Sequence, residues 1–240
     1  MTIAIIDGDV LVYMSIWKSE SLDEAKKKFM EHFNDVLNSL FTKDYVMALG
    51  GPDNFRVDLF PDYKGNRKKA KDARPEWFGD LKSWTSTLDG AVVSDNCEAD
   101  DLVRVWALEC DKAGINRVVV SVDKDLDCIP GSHYNPRTKS IYQIDEEYAE
   151  RFYWQQILTG DSVDNIPGLW KVGPVKAKKI LASAKTHTEM RSAVCRAYND
   201  VYGDKGYEYL IANGRLIHIW RFINDHFKVR KEVYEDAIKG

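Results

Sequence analysis

Nine acidic side chains fall in four short clusters, and three of those clusters arrive as an apolar strand pattern ends. Asp7 and Asp9 follow Ile3-Ala4-Ile5-Ile6. Glu98, Asp100 and Asp101 follow Ala91-Val92-Val93, and Asp123 and Asp125 follow Val118-Val119-Val120-Ser121-Val122. Asp161 and Asp164 make the fourth, inside Gly160-Asp161-Ser162-Val163-Asp164-Asn165. Carboxylates at the ends of neighbouring parallel strands converge, because open α/β sheets bind ligands outside the carboxyl ends of their strands. Two carboxylates about 4 Å apart repel by roughly 4 kcal/mol at an effective dielectric near 20. Hard divalent cations are the natural compensation, and Mg²⁺ takes a few carboxylates together with waters and phosphate oxygens. The chemistry such a pocket offers is that of a divalent cation with bound water and phosphate oxygens.

Each acid also has a simpler reading by itself. A strand-end Asp such as Asp7 often caps a helix, and acids that open a helix, as at 98–101, suit its dipole. Three acids in four positions exceed what capping needs. Glu98 and Asp101 share a face at i,i+3, while Asp100 points about 100° away. Asp123 and Asp125 are separated by one residue, so a tight turn must aim both outward. Asp127 reads as a solvated or capping acid.

Two cationic stretches face this acidity. Tyr63-Lys64-Gly65-Asn66-Arg67-Lys68-Lys69-Ala70-Lys71, extended by Arg74, is dense in positive charge. In isolation such a run is a solvated face, but Lys64 and Arg67 at i,i+3 could clamp one phosphate. Thr159–Pro174 is the most specific string: Gly168 and Gly173 bracket a short hairpin, and Pro174 then opens a helix carrying Lys176, Lys178 and Lys179. A glycine turn before a helix offers backbone N–H groups to a phosphate, and lysines, Lys171 included, add charge. The five histidines show no metal spacing.

The elements that must position these groups alternate. Strand patterns precede Asp7, span Tyr45–Leu49 and Ala91–Val93, and run over Val118–Val122. Helical spacing covers 22–41, 75–88 and about 98–113, with Pro75 at a first helical position. Residues 53–74 are polar and basic, and Pro61 and Gly65 break any single helix there. The pattern predicts an α/β fold with a mainly parallel central sheet and helices on both faces. Past 150 it turns helical, over 153–158, 174–184, 188–200 and 206–223. The expected division is therefore 1–150 and 151–240, without a flexible linker.

Of 240 residues 44% are apolar and 30% charged, which fits a globular chain. No apolar run approaches the roughly 20 residues of a membrane span. Met1-Thr2-Ile3-Ala4 has no basic leader, and the four cysteines show no paired metal spacing, as expected of reduced thiols in a cytoplasmic protein. The net charge of −4 argues weakly against nucleic acid, but two bound Mg²⁺ ions would cancel it and leave the basic stretches dominant.

Taken in order, Ile6-Asp7-Gly8-Asp9, Phe55-Arg56 with Pro61–Arg67, Glu98-Ala99-Asp100-Asp101, Asp123-Lys124-Asp125 and Gly160–Gly173 resemble the 5′ nuclease family, the 5′→3′ exonucleases and flap endonucleases of phages and bacteria. The resemblance implies that Asp7, Glu98, Asp100, Asp101, Asp123, Asp125, Asp161 and Asp164 hold two or more Mg²⁺ or Mn²⁺ ions. It implies a helical arch within about 55–90, with Lys64 and Arg67 at its base on the scissile phosphate and Lys68, Lys69 and Lys71 beside them. It implies that Tyr13 places a terminal base. It implies a helix-three-turn-helix over about 158–185 that grips duplex DNA through Gly168, Lys171, Gly173, Lys176 and Lys178, with a K⁺ ion in its 168–173 hairpin. The implied substrate is DNA with a 5′ end, flap, nick or branched junction, or the RNA strand of a hybrid, bound by a monomer with no membrane. The family carries a further acid after the second strand. Here Gly51 stands at that place, and Asp53 is the candidate substitute.

Three other classes share some of these features. A metal-dependent ribonuclease on a smaller related sheet would lack the 160–179 hairpin. A phosphatase using Asp7 as a covalent nucleophile is suggested by Asp7-Gly8-Asp9. A catalytically dead DNA-binding protein is suggested by Gly51.

Overall fold

The acids are carried by a six-stranded sheet in the computed structural model, which describes residues 2–67 and 73–239. Its strands are β1 Thr2–Asp7, β2 Tyr45–Leu49, β3 Ala91–Val93, β4 Asn116–Val120, β5 Gly131–Asn135 and β6 Ser140–Ile144, in the order β3-β2-β1-β4-β5-β6. All neighbours pair in parallel except β5 and β6. Asp7 lies opposite Ala48, and Ile6 opposite Val120, so the carboxyl ends of β1, β2 and β4 finish at one edge.

Alternation along the strands builds two apolar faces. Ala4, Ile6, Met47, Leu49, Val118 and Val120 meet Leu11 and Val12 of the helix Gly8–Ile16, Phe29, Phe33 and Val36 of Leu22–Ser39, and Leu81 of Phe78–Thr85. Ile5, Ala48 and Val119 are equally buried and alternate to the opposite side, and the helix Ala99–Lys112 runs against β1, β2 and β4. Each such side chain contributes about 1.5–3 kcal/mol when fully buried. The β5–β6 hairpin was not legible in the sequence, because Gly-Ser-His-Tyr-Asn has neither an apolar run nor clean alternation. Its turn is held instead by Asn135, whose side-chain oxygen accepts from the Arg137 and Thr138 amides at 2.9 and 3.1 Å.

The chain divides into two units, the first made of 1–55, 70–144 and 219–223, the second of 56–69, 145–218 and 224–240. The change of pattern expected near 150 thus falls at 144/145, and part of the basic stretch belongs with the helical residues. The second unit is built from the helices Glu146–Thr159, Pro174–Ile180, His187–Tyr202, Gly206–Ile217 and Lys231–Lys239. Asp145 caps the first of them by accepting from the Tyr148 amide at 2.7 Å, and a Thr186–Glu189 capping box opens the third. Trp154, Ile157, Leu158, Ala177, Val194, Tyr198 and Leu210 fill its interior.

The helices expected over 75–88, 174–184 and 206–223 are shorter than their spacing predicts, the second ending at Ile180. The one expected from Pro75 begins at Phe78, after a turn in which the Phe78 amide donates to Pro75. The one expected over 206–223 ends at Ile217: His218 is extended, and buried Arg56 donates to the Leu216 and His218 carbonyls at 2.9 and 2.6 Å. Trp220 therefore lies in irregular chain, stacked on Phe55 with ring centroids 5.5 Å apart. Among the described residues no helix is long and apolar enough to cross a membrane.

Candidate functional site

In the first unit the β1 and β4 ends are tied by one hydroxyl. The Ser121 hydroxyl donates to Asp7 Oδ2 at 2.8 Å and accepts from the Asp123 amide at 3.0 Å. Asp7 Oδ1 accepts from the Val10 amide, which starts the helix Gly8–Ile16. Asp7 is buried; desolvation, then the Asp9 charge, pushes its carboxyl up to about 7, with the Ser121 hydroxyl opposing and Asp123 adding repulsion. The carboxyl holds a proton because its surroundings carry too much negative charge and too little solvent. Asp9 is steadied from the side, by Lys82 Nζ at 3.1 Å and by the Gly50 amide at 3.0 Å. Asp123 is exposed and accepts from the Asp125 amide at 2.9 Å, forming the tight turn that the one-residue spacing demands.

The 98–101 cluster divides in two. Asp101 has no exposed surface, and both its oxygens are engaged at 2.9 Å, Oδ2 by the Glu98 amide and Oδ1 by the Trp220 amide. Asp101, expected to share a helix face with Glu98, ties a helix start to the Trp220 segment. The Glu98-x-x-Asp101 spacing of a capping box was the available signal. Glu98 is half-buried and accepts from Asn54 Nδ2 at 2.9 Å, and Asp100 is half-buried beside it.

Asp53 is exposed on the loop after β2. At Gly51 a Cβ would stand 2.0 Å from the Ser94 carbonyl oxygen, and the Gly51 amide donates to Ser94 Oγ at 2.8 Å. No acid fits position 51 on this backbone, where two strand ends approach closely.

Tyr13 is exposed, as a base-stacking residue must be, and is not alone. Its ring lies 5.4 Å from Phe78, and the Arg74 guanidinium sits over both rings at 5.2 and 4.4 Å while donating to the Tyr13 hydroxyl. The pairing of Tyr13 with Phe78 and Arg74 was not legible in the sequence because it joins residues over sixty positions apart. Lys68, Lys69 and Lys71 lie outside the described residues.

In the second unit Asp164 is buried and surrounded by the residues assigned to phosphate. Its carboxylate accepts from Tyr63 at 3.2 Å, pairs with Lys64 Nζ at 3.5 Å and bonds the Arg67 guanidinium. Asp161, half-buried, accepts from the Val163 amide at 2.7 Å. The Gly160–Gly173 string folds on two glycines with φ of +65° set back to back: a Cβ on Gly160 would lie 2.5 Å from Gly168 N, and one on Gly168 2.3 Å from Gly160 N. Gly168 is buried and its amide donates to Asn213 Oδ1 at 3.1 Å, so that N–H is not presented to a phosphate, contrary to expectation. Gly173, Lys171, Lys176 and Lys178 are exposed. The Lys171 ammonium lies 4.0 Å from the exposed Trp170 ring, and Lys176 Nζ reaches the Lys171 carbonyl at 3.0 Å.

Among the described residues no three His, Cys, Asp or Glu side chains close on one point as direct metal ligands. The Asp7–Asp123 end of the sheet fits a hydrated cation instead, since Mg²⁺ keeps several waters and uses one or two carboxylates. The burial of the Asp7 carboxyl with Asp9 and Asp123 as acidic neighbours is the observation that supports the fit. Asp164, whose charge is already answered by a lysine and an arginine, does not fit as a ligand in this arrangement.

Residues 2–153 match the family model described as 5′-3′ exonuclease, N-terminal resolvase-like domain. The flap endonuclease Xni of Shewanella sp. (strain W3-18-1) is 25% identical over 203 residues, 79% of this chain and 78% of that protein. DNA polymerase I of Rhizobium leguminosarum is 29% identical over 189 residues, 75% of this chain but 18% of the polymerase. The bacteriophage T5 flap endonuclease, crystallised with DNA and metal ions, shares the fold at a TM-score of 0.63 and 16% identity, over all of this chain and 97% of that one. The family model alone spans well over half of the sequence, and the chain belongs to the 5′-3′ exonuclease family of 5′ nucleases.

Proposed function

We propose that the protein hydrolyses phosphodiesters of DNA at 5′ ends and 5′ flaps with divalent metal ions, and with little sequence specificity. The observation that carries this reading is Asp7, buried at a parallel strand end and driven up to about 7 by desolvation and by Asp9 and Asp123. Such a carboxyl is stabilised by a cation more than by a proton once the pH exceeds neutrality. Two relatives with DNA chemistry in their names, a flap endonuclease and a DNA polymerase I, support the substrate class.

Asp7 and Asp123 would hold the first ion, with Glu98, Asp100 and Asp125 reaching it or a second ion directly or through water, and Asp161 a further one. When bound, Mg²⁺ or Mn²⁺ would activate water and offset charge on the leaving oxygen. Ser121 fixes the Asp7 carboxyl, and the Asp123 turn sets the second carboxylate. Lys64 and Arg67 would balance charge that gathers on the phosphate. Tyr13, flanked by Arg74 and Phe78, would stack a terminal base. Lys171, Lys176 and Lys178, with the Gly173 turn, would follow the duplex backbone, and the 168–173 carbonyls would hold K⁺. Every one of these groups addresses phosphate, sugar or an end, so binding should weaken steeply with salt. The reading includes the RNA strand of a hybrid as substrate and a monomer as the active form.

Incubation of 5′-labelled flap, nicked and blunt DNA with Mg²⁺ tests the reading directly. Short products from the flap and the nick support it. Flap binding without cleavage in both Mg²⁺ and Mn²⁺ would instead assign a structure-specific binding protein, a reading that the glycine at position 51 favours.

A further inference from the structure

We propose that Asp164 is a positioning residue, which clamps Tyr63, Lys64 and Arg67 into one geometry and is not a ligand of a metal ion. The inference rests on the proposed nuclease function for the task of the two cations, but the clamp itself stands on the second unit alone. Two loops are zipped together there. The Lys64 amide donates to the Asp164 carbonyl at 2.9 Å, Asn66 Nδ2 to the Ser162 carbonyl at 2.8 Å, and Asn165 Nδ2 to the Asp62 carbonyl at 2.9 Å. At the centre the Asp164 carboxylate takes the tyrosine hydroxyl, the ammonium and the guanidinium.

Three features argue that this arrangement is built for positioning. Lys64 adopts left-handed backbone with φ of 55°, uncommon for a residue other than glycine or asparagine, and faces Asn165, whose φ is 60°. The Asp164 side chain is 10% exposed, whereas those of Lys64 and Arg67 are 25% and 39% exposed. The anion is therefore sunk beneath two cations whose outer surfaces remain available. Finally, two positive side chains share the Asp164 carboxylate. A carboxylate in this setting has already lost its reason to seek a cation. It holds Lys64 and Arg67, each a long and otherwise mobile side chain, at a fixed separation on which an approaching phosphate oxygen can bridge.

A cycle of variants tests the clamp. Thermal melts of the wild type, Asp164→Asn, Arg67→Ala and the double variant need neither substrate nor metal. If the clamp exists, the double variant melts close to the worse single variant; additive losses would overturn it. Mn²⁺ titration, followed by water-proton relaxation, should give Asp164→Asn the same number of ions as the wild type. Loss of an ion from that count would make Asp164 a ligand and end the proposal. In single-turnover flap cleavage, Asp164→Asn should slow the wild type yet add nothing in a Lys64→Ala, Arg67→Ala background, while multiplying losses would contradict the clamp. If Asp164→Asn does not fold, Asp164→Glu, which keeps the charge but moves it, replaces it throughout. A wild type that cleaves no DNA would remove the nuclease reading, and the melting and Mn²⁺ arms would still decide the clamp.

Discussion

Asp7 and Asp164 are both buried aspartates at positions where the family resemblance calls for metal, yet their surroundings are opposite. Around Asp7 the neighbours are acidic and the carboxyl retains a proton; around Asp164 the protein supplies a lysine, an arginine and a tyrosine of its own. The difference shows that burial of an acid says little about its role until its partners are known. A carboxylate whose charge is answered from within the fold organises side chains, and one whose charge is left unanswered is available to an ion from solution. Asp101 extends the first class, with backbone amides as partners.

The contrast can be broken by substitution. The largest expected effect is at the unanswered end: Asp7→Asn or Asp123→Asn should reduce flap cleavage by about 10²–10³-fold, the scale of losing a charge-stabilising group, read under single turnover. Residual cleavage near the wild-type rate would place the reactive ion elsewhere. Asp101→Ala should instead act on folding, with a loss of about 1–3 kcal/mol for each buried amide left without an acceptor, seen as a lower urea midpoint. Gly51→Asp, which restores the family's acid in sequence, should not increase activity and should destabilise by about 1–3 kcal/mol, because its Cβ overlaps the Ser94 carbonyl. A gain in metal affinity would show that the two strand ends can separate.

A smaller effect concerns pH. The folded Asp7 binds its proton up to about 7, whereas the unfolded chain releases it near the ordinary aspartate value of 3.8. Between these values the native state carries the extra proton, so Asp7's contribution to stability falls as pH rises through that window and is level above it. Without metal, Asp7→Asn should flatten the decline of melting temperature between pH 4 and 7, tracked by circular dichroism. An unchanged slope would mean that Asp7 ionises freely. Lys171→Ala, exposed and in contact with Trp170, should leave stability within about 0.5 kcal/mol and lower the salt sensitivity of duplex binding.

Much of this arrangement was legible in the sequence because it is periodic or local. The apolar runs before Asp7 and Asp123 place both at ends of parallel strands, and Asp-x-Asp at 123–125 requires a tight turn. What could not be read is long-range and polar: that Asp164 faces Tyr63, Lys64 and Arg67 a hundred residues away, that Asp101 accepts from Trp220, and that Gly168 spends its amide on Asn213. A chain lists its charges in order, and their pairing is decided only when loops meet. The Trp220 segment misled for a related reason. Its apolar spacing continues a helix that ends at Ile217, where Arg56 takes the carbonyls.

Thermal denaturation at pH 8 with increasing Mg²⁺ tests the central claim, that the acids at the β1 and β4 ends await a divalent cation. A ligand held only by the native state raises its melting temperature with concentration. The expected result is a rise for the wild type that is lost in Asp7→Asn and kept in Asp164→Asn. A wild-type curve that does not move in millimolar Mg²⁺, or a rise that survives in Asp7→Asn, would contradict the account.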